Sequence, residues 1–299
     1  MPEPSARDFA GYGGRPPRVR WPDGARVALS VLVNLEAAAE YTFEEDGRNE
    51  GAGEWVTGLG DGVCDRSTQS VFEYETRAGF WRVMGLFDEH AVPVTVNASA
   101  LAVERNPAIA GYLRDASHEV SCHGWRWEEP WTLTREQEAE HMARALDSLE
   151  RTTGQRPRGW ASRLMQSEHT RALLVEQGVA YDSDALDDDL PHFVPVGDAE
   201  HLVLPLSFTY NDGQYVLNGV DPAGFLAYLK LGLGELLRES AERPKMMTVA
   251  LHPRWSGQAA RTAVLRAFLE HAKAQDGVWF AQRIEIADWW YGHHDGFER

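Results

Sequence analysis

Apolar, β-branched runs recur along the whole chain and predict strands at residues 27–34, 92–97, 119–122, 159–162, 179–182, 201–205, 246–252 and 278–281. Helical patterns lie between most of them. The clearest starts at Thr134, where Thr134-x-x-Gln137 forms a capping box whose two side chains satisfy backbone N–H groups left open by the first turn. Met142, Leu146 and Leu149 then fall on one face. Further helices are expected to begin near Ser67, Asn106, Ser167, Asp221 and Gly257. About eight strands alternating with helices predict an α/β fold with a mostly parallel sheet, either a barrel or a doubly wound layer. No Pro/Gly-rich linker divides the chain and no repeat appears, so residues 1–299 read as a single domain. The stretch 43–65 is acidic and glycine-rich without periodicity, and longer than an ordinary connection. It reads as a loop or lid insertion.

Composition narrows the partners. The 46 acidic against 29 basic residues give a net charge of −17, which argues against a nucleic-acid backbone or an anionic membrane surface. Cys64 and Cys122 lie far apart and form no C-x-x-C, so a reducing compartment fits better than a disulfide framework. The first twenty residues are polar and lack an apolar core of the secretory type. No apolar run approaches the roughly 20 residues that span a bilayer. A soluble, cytoplasmic protein acting on a small molecule is expected.

Catalytic groups of parallel α/β sheets gather at the carboxyl ends of the strands. Glu36 follows the first predicted strand, His123 the third, Trp160 and Arg163 stand at the fourth, Asp184 follows the fifth, and His252 closes 248–251. Glu36 and His252 together supply a base for water and an acid for a leaving nitrogen, which suits hydrolysis of an amide-like bond. No nucleophile elbow or phosphate-binding loop is present. Cys122 points away from His123 if the strand continues and reads as a small core residue. Five aspartates fall within 182–189. So many close acids need arginine, metal or solvent, and Asp184 and Asp189 are expected either to orient an arginine at the site or to form a solvated turn. The spacing of a calcium-binding EF-hand is absent. Arg77, Arg126 and Arg163 are the candidate partners, because a planar guanidinium holds carboxylate or imide oxygens with two parallel bonds.

The segments carrying these residues resemble the polysaccharide deacetylase (NodB-homology) superfamily, and within it the cofactor-independent branch of purine-degradation allantoinases and bacterial cyclic-imide hydrolases. The likeness runs through Asp8-Phe9-Ala10-Gly11-Tyr12-Gly13, Trp21-Pro22, Tyr74-Glu75-Thr76-Arg77-Ala78-Gly79 and His123-Gly124-Trp125-Arg126-Trp127. It continues in Tyr181-Asp182-Ser183-Asp184, Asp188-Asp189-Leu190-Pro191, Leu251-His252-Pro253-Arg254 and Val278-Trp279-Phe280. It implies a single-domain distorted (β/α) barrel and a homo-oligomer. Metal-dependent members of the superfamily place two acids after the first strand, one a base and one a ligand, and add two ligating histidines about four residues apart. Here the base maps onto Glu36 and the ligand acid onto Ala37, while the histidine pair keeps His123 and has Trp127 at its second position. Alanine and tryptophan do not ligate zinc, so the resemblance implies no metal and no cofactor.

By the same likeness His252 is the general acid, His123 and Arg163 hold the carbonyl, and Trp127 and Trp160 wall the pocket. The loop after Trp160 reads Ala161-Ser162-Arg163-Leu164-Met165, bulkier and more apolar than the aromatic-Thr-Gly-Arg run of the allantoinase-like branch. Losing a hydrogen-bond partner changes discrimination by powers of ten, so ureide, cyclic imide, lactam and acyl amide all stay open as substrates. The expected activity is metal-independent hydrolysis of a non-peptide C–N bond. The alternatives are a metal-dependent deacetylase and a non-catalytic binding protein on the same fold.

Overall fold

Along the first long run, Val27, Leu29, Val31, Val33 and Leu35 alternate with Ala28, Ser30, Leu32 and Asn34. Side chains of a strand alternate between its faces, so one face is wholly apolar and the other partly polar. In the computed structural model, which describes residues 8–50 and 62–297, this run is strand β1 (Val27–Leu35), buried at every position. Its odd-numbered side chains join the main core beneath the surrounding helices, together with Phe80, Val83, Leu265 and Phe268. Burial of each such side chain contributes on the order of 2 kcal/mol. The even-numbered face turns into the barrel, where Ser30 lies 3.2 Å from Thr248.

Eight further strands complete one sheet: β2 (Thr95–Ala98), β3 (Glu119–Cys122), β4 (Gly159–Trp160), β5 (Tyr181–Asp182), β6 (His192–Val196), β7 (Ala199–Val203), β8 (Lys245–Leu251) and β9 (Val278–Phe280). Their order is β6-β7-β5-β4-β3-β2-β1-β8, with β9 added to β1. Every pairing is parallel except the β6–β7 hairpin. One edge of β1 is taken by β8, while β9 (at 27–29) and β2 (at 32–35) share the other. The sheet curls into a half-barrel, the distorted (β/α) barrel that the resemblance implies. The predicted strands are all present, 119–122 with its predicted ends and the others with shifted ones. β6 was not predicted, because it carries Pro195 and only half-buried side chains, as an edge strand can. Cys122 is buried on the outer, apolar face, where burial pushes its thiol up to about 12.

The helices are α1 (Phe43–Asp46), α2 (Arg66–Tyr74), α3 (Phe80–His90), α4 (Ala100–Arg105), α5 (Pro107–Asp115), α6 (Arg135–Thr153), α7 (Thr170–Glu176), α8 (Asp212–Leu217), α9 (Pro222–Glu239), α10 (Pro253–Ser256), α11 (Ala259–Lys273) and α12 (Arg283–His293). Both bonds of the Thr134–Gln137 capping box are made, and Met142, Leu146 and Leu149 are buried. The helix expected near Ser67 begins at Arg66 and is capped by Asp65, which accepts from the N–H groups of Ser67 and Thr68. Among the described residues, no helix is long and apolar enough to cross a membrane.

Of the stretch 43–65, residues 51–61 lie outside the described ones. Its flanks are tied down: Arg126 holds Asp46, Arg163 holds Glu50, and Asn49 bonds to Val63 and Asp65.

One irregularity interrupts the helices. α2 and α3 are joined by a π-helical turn, Glu75–Gly79, a feature that often marks functional positions. The turn meets α10 backbone to backbone. A Cβ on Gly79 would stand 2.2 Å from the Pro253 carbonyl oxygen, and one on Gly257 would stand 2.3 Å from the Gly79 Cα. Only glycine permits this approach. Gly79→Ala is therefore expected to lower unfolding free energy by about 2 kcal/mol in urea titration, whereas Gly85→Ala, at a helix site with open space around it, leaves stability the same or slightly higher.

Candidate active site

The chain leaves β1 at Glu36, and the first two amides beyond the strand need acceptors. Glu75, from the π turn, supplies them: its Oε1 accepts from the N–H groups of Glu36 (2.7 Å) and Ala37 (3.0 Å). This fixes the carboxyl end of β1 and aims the Glu36 side chain into the barrel mouth. Three groups converge on that carboxylate. His123 Nε2 is 3.3 Å and His252 Nε2 3.5 Å from Oε1, while Arg254 Nη1 donates to Oε2. Arg254 also lies 3.3 Å from Glu75 Oε2, so one guanidinium bridges two buried carboxylates. The side chains of Glu36 and Arg254 are 2% and 1% exposed.

Burial alone would push Glu36 up. Arg254 first, then His252 and His123, outweigh it and hold the carboxyl well below the usual range, as an anion. Glu75 goes the other way: burial and the Glu36 charge raise it against the pull of Arg254. The Ala161 carbonyl accepts from His123 Nδ1, so that atom carries a proton and Nε2 is the atom that faces Glu36 Oε1.

His252 is oriented from behind. Its Nδ1 donates to Asp212 Oδ1 at 2.7 Å and its backbone N–H to Asp212 Oδ2 at 2.8 Å, while Ser256 Oγ donates to the same Oδ2 at 2.6 Å. Burial works against a charged imidazole here, yet Glu36 and then Asp212 overcome it, and the pKa lies above the ordinary histidine value. The proton-bearing Nε2 thus faces Glu36 with its tautomer fixed by a carboxylate.

Aromatic groups enclose the cluster. The Trp127 ring packs 6.0 Å from Phe72 and lies 5.3 Å from the Arg254 guanidinium. Trp160 Nε1 donates to Ser162 Oγ (2.9 Å). His123 also lines a small open pocket together with Trp125, Arg126, Trp160, Ser162 and Arg163 among others.

Of the predicted residues, Glu36, His123, His252, Trp127 and Trp160 come together. The arginines do not. Arg163 donates to both oxygens of Glu50 (3.0 and 2.7 Å) and to the Trp127 carbonyl (2.7 Å), and is not among the groups on the Glu36 carboxylate. Arg126 is likewise bidentate on Asp46 (2.8 and 2.9 Å). Arg77 is on the surface, 77% exposed and paired with Glu73. The aspartates separate too. Asp184 accepts from the N–H and Oγ of Ser162 (2.7 and 2.6 Å), holding the Trp160 loop; burial and the Asp182 charge push it up to about 7. Asp182 pairs with Arg171. Asp189 is exposed beside Lys245, at the amino end of β8 and the opposite end of the sheet from His252.

Sequence reasoning assigned no role to Arg254, Glu75 or Asp212. One signal was available: Phe72, Glu75 and Gly79 share a helical face that is otherwise buried and apolar, so an acid there must meet a cation.

The metal-binding pattern of the wider superfamily does not fit these residues. Ala37 is buried and has no donor, Trp127 is an apolar wall, and Arg254 already places a cation on the Glu36 carboxylate. Among the described residues, no group of three or more His, Cys, Asp or Glu side chains is arranged to hold a metal ion.

Residues 63–179 match the polysaccharide deacetylase family. A Schizosaccharomyces pombe protein named for the polysaccharide deacetylases is 32% identical over 315 aligned residues, covering 96% of this chain and 98% of its own. A Pseudomonas aeruginosa PAO1 structure named for the same family superposes with a TM-score of 0.90 at 38% identity. PuuE allantoinase superposes with a TM-score of 0.90 at 37% identity, each comparison covering 96% of this chain and 98% of the other. The chain belongs to the polysaccharide deacetylase (NodB-homology) superfamily, in its allantoinase-like branch, and is a hydrolase acting on carbon–nitrogen bonds.

Proposed function

We propose that this chain hydrolyses a C–N bond of a small cyclic amide, imide or ureide without a metal. The observation that carries the reading is the convergence of His123, His252 and Arg254 on the Glu36 carboxylate. Glu36 takes the proton of the attacking water. His252, held by Asp212, delivers a proton to the leaving nitrogen. His123 and Arg254 flank the carboxylate and supply donors for the oxyanion of the tetrahedral intermediate. A carboxylate held this low is a weak base. A substrate carbonyl that takes Arg254 for itself raises the proton affinity of Glu36, coupling water activation to binding. The likeness to PuuE allantoinase supports a ureide-like ring.

The likeness to proteins named for the deacetylases favours a second reading, removal of an acetyl group from a sugar amine. Retention of the whole proton-transfer cluster speaks against a retired enzyme. A homo-oligomer in the cytoplasm is the setting we infer from composition and the family resemblance.

Glu36→Gln and His252→Ala are each expected to cut kcat/KM by about 10³-fold or more with unchanged circular dichroism, assayed over hydantoins, cyclic imides, lactams and N-acetylated sugars. Near-native turnover by either variant contradicts its role. Turnover in the presence of a chelator is expected to equal that without it; loss that zinc restores favours the deacetylase.

The pH dependence has a definite sign. The general acid works protonated, so kcat/KM falls as pH rises through a pKa above that of ordinary histidine. Asp212→Asn removes an anion that favours the imidazolium and is expected to move this falling limb to lower pH. A limb that stays in place argues that His252 is not the acid.

A further inference from the structure

Asn34, Asn97 and Ser121 are cross-strand register partners on β1, β2 and β3, and their side chains meet inside the barrel just below Glu36. Ser121 Oγ donates to Asn97 Oδ1 (3.3 Å), and Asn97 Nδ2 donates to Asn34 Oδ1 (2.9 Å). With its oxygen taken, the Asn34 amide presents its NH₂ on the other side, where Nδ2 lies 3.4 Å from His252 Nε2. We infer that Asn34 is a positioning residue for the His252 proton: its N–H holds the Nε2 lone pair after that proton has gone to the leaving nitrogen.

The donors and acceptors around His252 Nε2 differ between its two protonation states. The Nδ1 proton of His252 is committed to Asp212, so Nε2 is the atom that gains and loses the titrating proton. A protonated Nε2 finds its acceptor in Glu36 Oε1, at 3.5 Å. A deprotonated one faces that carboxylate as acceptor against acceptor. Among the described residues Asn34 then offers the donor, and its bond is satisfied in that state alone. The two neighbours of Nε2 serve opposite protonation states. The remaining charged groups around the ring are Asp212 from α8 and Arg254 from α10, with His123 across the Glu36 oxygen; Trp255 adds a ring face at 4.8 Å. Glu36 and Asp212 both favour the imidazolium. A donor to the neutral ring opposes them and eases release of the proton.

The timing rests on the proposed hydrolysis. Water oxygen bonds to the carbonyl carbon as its proton passes to Glu36. The C–N bond then breaks, its electron pair stays on nitrogen, and nitrogen takes the Nε2 proton. Glu36 finally returns its proton to Nε2, so the net change is one added water. Between the last two steps the ring is neutral, and Asn34 keeps it from turning away.

The test does not need a substrate. With ¹⁵N-labelled histidine, the His252 ring signals are identified by their loss in His252→Ala and titrated with pH. A hydrogen bond to the neutral form lowers a pKa, so Asn34→Ala is expected to raise the Nε2 midpoint by about one pH unit. Asn97→Ala, which frees the Asn34 amide to turn, moves it the same way by less. Asn34→Asp keeps the shape, replaces the donor by an anion and moves it further up. A folded Asn34→Ala with the wild-type midpoint overturns the inference; if that variant does not fold, an unmoved midpoint in Asn34→Asp does so. Lost turnover with unmoved midpoints overturns Asn34's role and leaves the hydrolysis reading intact. A raised midpoint in a protein that consumes nothing in the substrate panel supports the role of Asn34 while the hydrolysis reading fails.

Discussion

The structure depends on one buried cation. Arg254 sits between Glu36 and Glu75 with almost no exposure, and each carboxylate is equally hidden. Two such anions without a partner would cost several kcal/mol each in desolvation. Arg254 makes their burial tolerable, and in doing so ties the end of β1 to the π turn after α2 and to the short helix after β8. Breaking this bridge by removing one member leaves an uncompensated charge, with a penalty of about 3–5 kcal/mol. The close Gly79–Gly257 approach serves the same constraint, since it brings the backbones that carry Glu75 and Arg254 within reach.

Beneath the site the barrel is filled largely with polar groups. Arg283, fully buried, donates to Thr248 Oγ1 (2.8 Å), to Ser183 Oγ (3.0 Å) and to the Leu204 carbonyl. Glu119 accepts from Thr95 (2.7 Å), from Tyr181 (2.7 Å) and from the Ile284 amide (2.9 Å). The Asn34–Asn97–Ser121 row lies on the same inner face, nearer the mouth. Each group is satisfied only in one arrangement, and such networks rigidify what they support. The catalytic cluster proposed above would have to be held to within about 0.5 Å and gains from a floor of that kind.

The strands and the three groups at the barrel mouth were legible because they follow from local pattern, whereas the barrel, as against a doubly wound layer, followed from the family resemblance. Period-two runs give β1 and β8, and the residues just past their ends give Glu36 and His252. Pairing was not legible. Arg163 was expected at the substrate because its partner Glu50 stands 113 positions away in a stretch without periodicity. Arg254 drew no role because its carboxylate is 218 positions distant. A π turn leaves the helical pattern of residues 66–90 almost unchanged, so nothing announced that Glu75 would cap β1. The aspartates between 182 and 189 read as one unit in sequence, but the chain leaves the sheet after β5, and Asp184 and Asp189 end at opposite sides of the barrel.

The central claim is that Arg254 holds Glu36 as an anion poised between two imidazoles. The most direct measurement is a pH titration of the Glu36 side-chain carboxyl by ¹³C NMR, with its signal identified by loss in Glu36→Gln. The account predicts a carboxyl that titrates below the ordinary glutamate value. A signal that titrates at or above the ordinary glutamate value would contradict it.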